Sequence, residues 1–182
     1  MSNFKLRQAK HLIQNGGVIA CPTEAVYGLS CDPLNPLAVE HLLKIKKRPA
    51  EKGLILVASS IEQLLPFIKL DDSLPLNEIR DSWPGPATWL LPAADKLPRW
   101  INGGKKTVAC RVTAHPLLAA LCKTTGHALI STSANQSGRP PALNALDAHL
   151  RCPGIDAVLC GKLGEQKKPT TIRDARTGAT IR

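Results

Sequence analysis

Gly17-Val18-Ile19-Ala20-Cys21 runs directly into Pro22-Thr23-Glu24-Ala25-Val26-Tyr27-Gly28. The first five residues are small or β-branched and apolar, so they read as a short buried strand. The polar island behind them, framed by proline and glycine, reads as a loop at that strand's end. Upstream, Phe4 to Gln14 sets Leu6, Ala9, Leu12 and Ile13 at helical spacing, with Asn3 as N-cap and Gly16-Gly17 as the stop. Downstream, Asn35-Pro36 opens a second helix whose apolar side is Leu37, Val39, Leu42, Leu43 and Ile45. Helix, strand, polar loop and helix again is the rhythm of an α/β protein.

The same rhythm continues. Strands are expected at Gly53 to Ala58, Ala87 to Leu91, Thr107 to Thr113, Ala128 to Thr132, Asp156 to Cys160 and Thr171 to Arg173. Helices are expected at Ser60 to Ile68, His115 to Lys123 and Leu143 to Leu150. Pro84, Pro86, Pro92 and Pro98 break the regular alternation in the middle. The expected fold is an open, twisted, mixed α/β sheet with flanking helices. Nothing divides the chain, so residues 1–182 are expected to form a single domain.

Composition narrows the function classes. Aromatics are only 3%, so the core must be aliphatic. No apolar run approaches the length of a bilayer span, and Met1 to Lys10 lacks the apolar region of a signal peptide. A cytoplasmic protein is expected. Six cysteines without CxxC spacing read as buried free thiols rather than a disulfide framework. The net charge is +10, and between Lys96 and Leu146 seven cations occur without one acid. That asymmetry suits an anionic partner such as a nucleotide or RNA.

No GxxxxGK[ST] loop, GxGxxG turn or GxSxG elbow is present, so phosphate binding would fall to side chains and loop amides at strand ends. Four polar islands qualify. They are Pro22 to Gly28, Lys46 to Pro49 with Lys52, Ser131 to Asn135, and Pro169 to Asp174. Each alone makes an ordinary turn or helix cap. In open α/β sheets, however, ligands sit where such strand-end loops converge.

Taken together, the islands resemble in order and wording the YrdC-like threonylcarbamoyl-AMP synthases. The matching segments are Pro22 to Ser30 (PTEAVYGLS), Lys46-x-Arg48-Pro49, Lys52 to Leu54, Trp83 to Thr88 (WPGPAT), Arg111 to Pro116 (RVTAHP), Ser131 to Gly138 (STSANQSG) and Pro169 to Thr171. The resemblance implies an open α/β sheet with a basic concave face. It also implies an enzyme that uses L-threonine, bicarbonate or CO2, and ATP, releasing pyrophosphate. The product would serve threonylcarbamoyladenosine modification of tRNA through downstream transfer proteins.

The site residues follow from that resemblance. Lys46, Arg48 and Lys52 would neutralise the triphosphate, Ser133 and Asn135 would hydrogen-bond its oxygens, and Arg173 would close over the nucleotide. Thr23, Arg111, Thr132 and Thr171 would hold L-threonine, Arg111 pairing its carboxylate. Mg2+ would be held by the phosphates, with no protein ligands. Ala25 and Val57 stand where family members often carry Thr or Ser and, in some, His, so side-chain contacts at those positions are absent. The rival non-enzymatic reading is a double-stranded RNA or ribosome-assembly protein using only phosphate contacts. Sugar-phosphate chemistry on a related fold would want acidic metal ligands that these loops do not offer, beyond Glu24.

Overall fold

The computed structural model describes residues 3–166 and 170–181. Eight strands form one open sheet in the order β7-β1-β2-β6-β3-β5-β4-β8. In chain order these are β1 (Ile19–Pro22), β2 (Tyr27–Ser30), β3 (Ile55–Ala58), β4 (Ala87–Pro92), β5 (Thr107–Val112), β6 (Leu129–Ser133), β7 (Ala157–Val158) and β8 (Thr171–Asp174). The helices are α1 (Asn3–Gln14), α2 (Pro36–Lys46), α3 (Leu76–Asp81), α4 (Arg99–Asn102), α5 (Pro116–Thr125) and α6 (Ala145–Arg151). β1/β7, β3/β5 and β4/β8 pair in parallel, while β1/β2, β2/β6, β3/β6 and β4/β5 are antiparallel. The mixed, open sheet is the architecture the sequence predicts.

Side chains alternate between sheet faces, so the registers sort the core. Ile19, Cys21, Val57 and Leu129 share one face, where Leu6, Ala9 and Ile13 of α1 and Leu118, Leu121 and Cys122 of α5 cover them. Ala20, Tyr27, Leu29, Leu56, Ile130, Cys110 and Trp89 share the other face and enter the larger core with Val39 and Leu42 of α2. Leu118 and Leu121 are fully buried, and truncating either to alanine removes roughly 2–5 kcal/mol. The α1/α5 layer ends at Val57 and Leu129. Beyond it the same face continues through Ile55, Ala109, Ser131, Ser133 and Gly28, and this stretch lines a cavity.

Several elements differ from the sequence expectation. Tyr27–Ser30 is a strand, β2, closing a tight hairpin with β1; four residues containing a glycine carry too little pattern to announce it. Residues 60–68 form two short 3-10 turns, Ile61–Gln63 and Leu65–Phe67, because Pro66 cannot continue an α-helix. The expected strand at Asp156 to Cys160 pairs only over Ala157–Val158. Five cysteines are buried and free, and Cys160 is exposed. Burial pushes the Cys21 thiol up to about 12. No helix among the described residues is long and apolar enough to cross a membrane.

Candidate active site

The uncovered half of the sheet floors a cavity of about 420 Å3. Its floor is shallow in side chains by design of the sequence: Gly28, Ala109 and Ser131 leave the room that larger residues would fill. A Cβ on Gly28 would stand 3.0 Å from Thr23 Cγ2 and 3.5 Å from Ser131 Oγ. Among the described residues, four cations and no carboxylate line the cavity: Arg48, Lys52, Lys105 and Arg111. Such a lining favours an anionic ligand. Thr107, Ala109 and Arg111 alternate onto the cavity face of β5, so Arg111 lies about 13 Å along the strand from Thr107. The cavity is therefore long enough to have two chemically different ends.

One end is organised by α2. Asn35 caps its start, accepting from Leu37 N and Ala38 N at 3.1 and 3.2 Å, with Pro36 in the first turn. At its end Lys47 takes the left-handed conformation with φ 49°, and Arg48 N closes onto Leu43 O at 3.1 Å. A lysine there costs about 1–2 kcal/mol, and the reversal it makes separates its neighbours. Lys46 turns inward. Arg48 turns to the cavity, its Nη2 donating to Gly53 O at 2.9 Å.

Lys46 is 2% exposed, and its Nζ donates to Ser133 O at 2.5 Å, Asn135 O at 3.0 Å and Asn135 Oδ1 at 3.0 Å. Ser133 Oγ donates to the same Asn135 Oδ1 at 2.6 Å, and Ser137 N donates to Lys46 O at 2.8 Å. Desolvation lowers the Lys46 pKa to about 8, with the neighbouring Arg48 charge adding to the fall. The ammonium thus clips the Ser133–Ser137 loop to the end of α2. Ser133 itself lines the cavity, whereas Lys46 and Asn135 stand behind it.

The other end is held by a buried ion pair. Arg111 Nη2 lies 3.3 Å from Glu24 Oε2, both side chains 7% exposed. Thr113 Oγ1 donates to Glu24 Oε1 at 2.6 Å, and Arg111 Nη1 donates to Thr170 Oγ1 at 3.3 Å. Thr88 Oγ1 is 3.2 Å from Thr170 Oγ1. Residues 161–166 strap this end from outside: Tyr27 OH donates to Gly161 O at 2.8 Å, while Gly164 N and Gln166 N donate to Thr23 O and Glu24 O at 3.0 and 3.1 Å.

The residues singled out from the sequence thus divide. Arg48, Lys52, Ser133, Thr23, Arg111 and Thr132 line the cavity. Thr132 does so from a position in register with Leu29, on the opposite face from Ser133. In β8 the pleat runs the other way from the expectation: Thr170 and Ile172 reach the cavity, while Thr171 and Arg173 lie on the opposite face. The Arg173 guanidinium sits 5.9 Å from the Trp89 ring centroid instead. Pro169 lies outside the described residues. Lys105 and Asn102 line the cavity and had no sequence motif to mark them.

Residues 11–182 match the family Sua5/YciO/YrdC, described as "Telomere recombination". The chain belongs to the Sua5/YciO/YrdC family. Relatives named threonylcarbamoyl-AMP synthase run the length of this Sua5/YciO/YrdC chain. That of Alkalilimnicola ehrlichii is 52% identical over 184 residues, covering 98% of this chain and 95% of its own. That of Vibrio campbellii is 44% identical, covering 100% and 99%. Among solved structures, P. abyssi Sua5 complexed with L-threonine superposes with a TM-score of 0.87 at 33% identity, covering 96% of this chain and 52% of that one. The chain spans about half the length of that Sua5. E. coli YciO, at 24% identity and a TM-score of 0.86, shares the fold, covering 99% of this chain and 88% of its own.

Proposed function

We propose that this chain is a threonylcarbamoyl-AMP synthase, joining L-threonine, CO2 or bicarbonate, and ATP and releasing pyrophosphate. The observation that carries the reading is an elongated cavity, cationic and free of carboxylates along its described lining, with a hydroxyl- and arginine-bearing end. Full-length relatives bearing that enzyme's name support it.

Threonine's amine and CO2 combine to a carbamate. A carbamate oxygen attacks the α-phosphorus of ATP, a new P–O bond forms, and the bond to the β-phosphate bridging oxygen breaks. Pyrophosphate leaves with that electron pair. Such chemistry rests on positioning and charge neutralisation rather than on a covalent nucleophile. Arg48 and Lys52 bind the phosphates, Arg48 with a planar fork. Ser133 hydrogen-bonds a phosphate oxygen, and Lys46 with Asn135 holds Ser133 in place. Thr23, Arg111 and Thr170 hold threonine, with Glu24 and Thr113 fixing the guanidinium.

Among the described residues no cluster of three or more His, Cys, Asp or Glu could hold a metal. A magnesium ion would be held mainly by the triphosphate. The adenylate would pass to transfer proteins that modify tRNA. The test is product analysis with and without threonine and bicarbonate. Pyrophosphate and a threonylcarbamoyl adenylate, dependent on both, are expected. ADP as the product, or turnover indifferent to threonine, would refute the synthase reading.

A further inference from the structure

Two loops about fifty residues apart in the chain interlock at the cationic end of the cavity. One is Pro49–Gly53, and the other is Asn102-Gly103-Gly104-Lys105-Lys106, starting from the last residue of α4. The contact is backbone against glycine in both directions. A Cβ on Gly53 would stand 3.2 Å from the Asn102 carbonyl, and one on Gly103 would collide with the Glu51 carbonyl. Gly53, Gly103 and Gly104 all have positive φ, at 68°, 68° and 76°. Leu54 N donates to Ile101 O at 2.7 Å, closing the seam.

Asn102 sets the second loop. It is 7% exposed, donates through Nδ2 to Lys105 O at 2.5 Å, and accepts from Gly104 N at 3.0 Å through Oδ1. The backbone carrying Lys105 is thereby fixed from within. Lys105 Nζ lies 3.5 Å from Lys52 O, and Lys105 lines the cavity together with Lys52 and Arg48. Its neighbour Lys106 is also exposed and carries the same charge but is not among the lining residues described. Holding like charges together is unfavourable unless an anion relieves it.

We infer that Lys105 is a further ligand-binding residue, which contacts the terminal phosphates of the bound nucleotide and the pyrophosphate that leaves. This inference rests on the synthase reading for its ligand and adds a cation to it from a loop outside the recognised motifs. The specificity it confers is for polyphosphate length. ATP and pyrophosphate reach Lys105, while adenosine and threonine, bound toward the floor and the Arg111 end, do not. The side chain remains in contact with water, so its effect is smaller than that of a buried contact and weakens with salt.

The experiment is calorimetric titration of the full chain with inorganic pyrophosphate, ATP, adenosine and threonine, comparing Lys105→Ala, Lys105→Arg and Lys106→Ala with the unaltered protein. Lys105→Ala should weaken pyrophosphate and ATP about fivefold at low salt and leave adenosine and threonine unchanged. Lys105→Arg should restore most of the loss, and Lys106→Ala should match the unaltered protein. If Lys105→Ala and Lys106→Ala bind pyrophosphate alike, or if adenosine weakens as much as pyrophosphate, the assignment of Lys105 is overturned. Because these are binding measurements, they decide the role of Lys105 even if product analysis refutes the synthase reading. Conversely, a threonine-dependent enzyme indifferent to Lys105 would leave that reading standing and remove this one.

Discussion

The Nζ of Lys46 donates to the main-chain oxygen of Ser133, 87 residues later in the chain, at 2.5 Å. Through this bond and those to Asn135, the end of α2 and the loop after β6 hold each other in place. A charged group kept from water and surrounded by neutral acceptors is poised to lose its proton more readily than usual.

That displacement has a measurable sign. Lys46 titrates at about 8 in the folded chain and at 10.5 in the reference state, so between those values the unfolded chain holds more protons. Stability contributed at this position therefore rises with pH across that window and is flat below it. The difference in unfolding free energy between the unaltered protein and Lys46→Met should grow by on the order of 1–3 kcal/mol from pH 8 to 10.5. Urea titrations at a series of pH values measure it. A constant difference would mean that Lys46 is not the desolvated cation described.

Glu24→Gln removes the carboxylate that faces the buried Arg111 guanidinium at 3.3 Å. Removing one partner of such a pair costs about 3–5 kcal/mol. The double variant Glu24→Gln with Arg111→Met should lose less than the sum of the two single changes, because both remove the same interaction. Additive losses in denaturant unfolding would show that the pair is not coupled.

Ser133→Ala keeps the fold, since only the hydroxyl bond to Asn135 is lost. On the proposed role, kcat/KM for ATP should fall about ten- to a hundredfold, the equivalent of roughly 1.5–3 kcal/mol. The melting temperature should move by no more than a few degrees. A large melting shift with little kinetic effect would reassign Ser133 to structure alone.

Gly28→Ala tests the floor. The added methyl would press on Thr23 Cγ2 and approach Ser131 Oγ. Overpacking of this kind costs about 1–3 kcal/mol, and here it should fall on threonine affinity rather than on ATP. Equal effects on both KM values would place the threonine subsite elsewhere.

The sequence made the sheet and most of the cavity legible because polar islands interrupt short apolar runs, and strand ends are where such islands meet. It did not reveal the divergence of Lys46 and Arg48. Two residues apart in a motif, they part because Lys47 adopts a left-handed conformation that lysine rarely takes. In β8 successive residues face opposite ways, so Thr170 and Ile172 line the cavity while Thr171 and Arg173, which the family resemblance implies at the site, lie on the other face. Lys105 carried no local signal at all. Its position depends on Gly53 and Asn102 meeting across half a hundred residues, which no window of sequence displays.

The strand that completes the cavity is β8, whose Ala87↔Thr171 pairing spans 84 residues. A ribosome delivers it after all seven other strands. Until it docks, Arg111 lacks its Thr170 contact and the cavity lacks Ile172 and Ile181. A nascent chain can thus assemble most of both hydrophobic cores, all but Ala175, while its binding cavity is still missing one wall. Competence to bind would follow the folding of the rest of the sheet, when β8 emerges and docks beside β4.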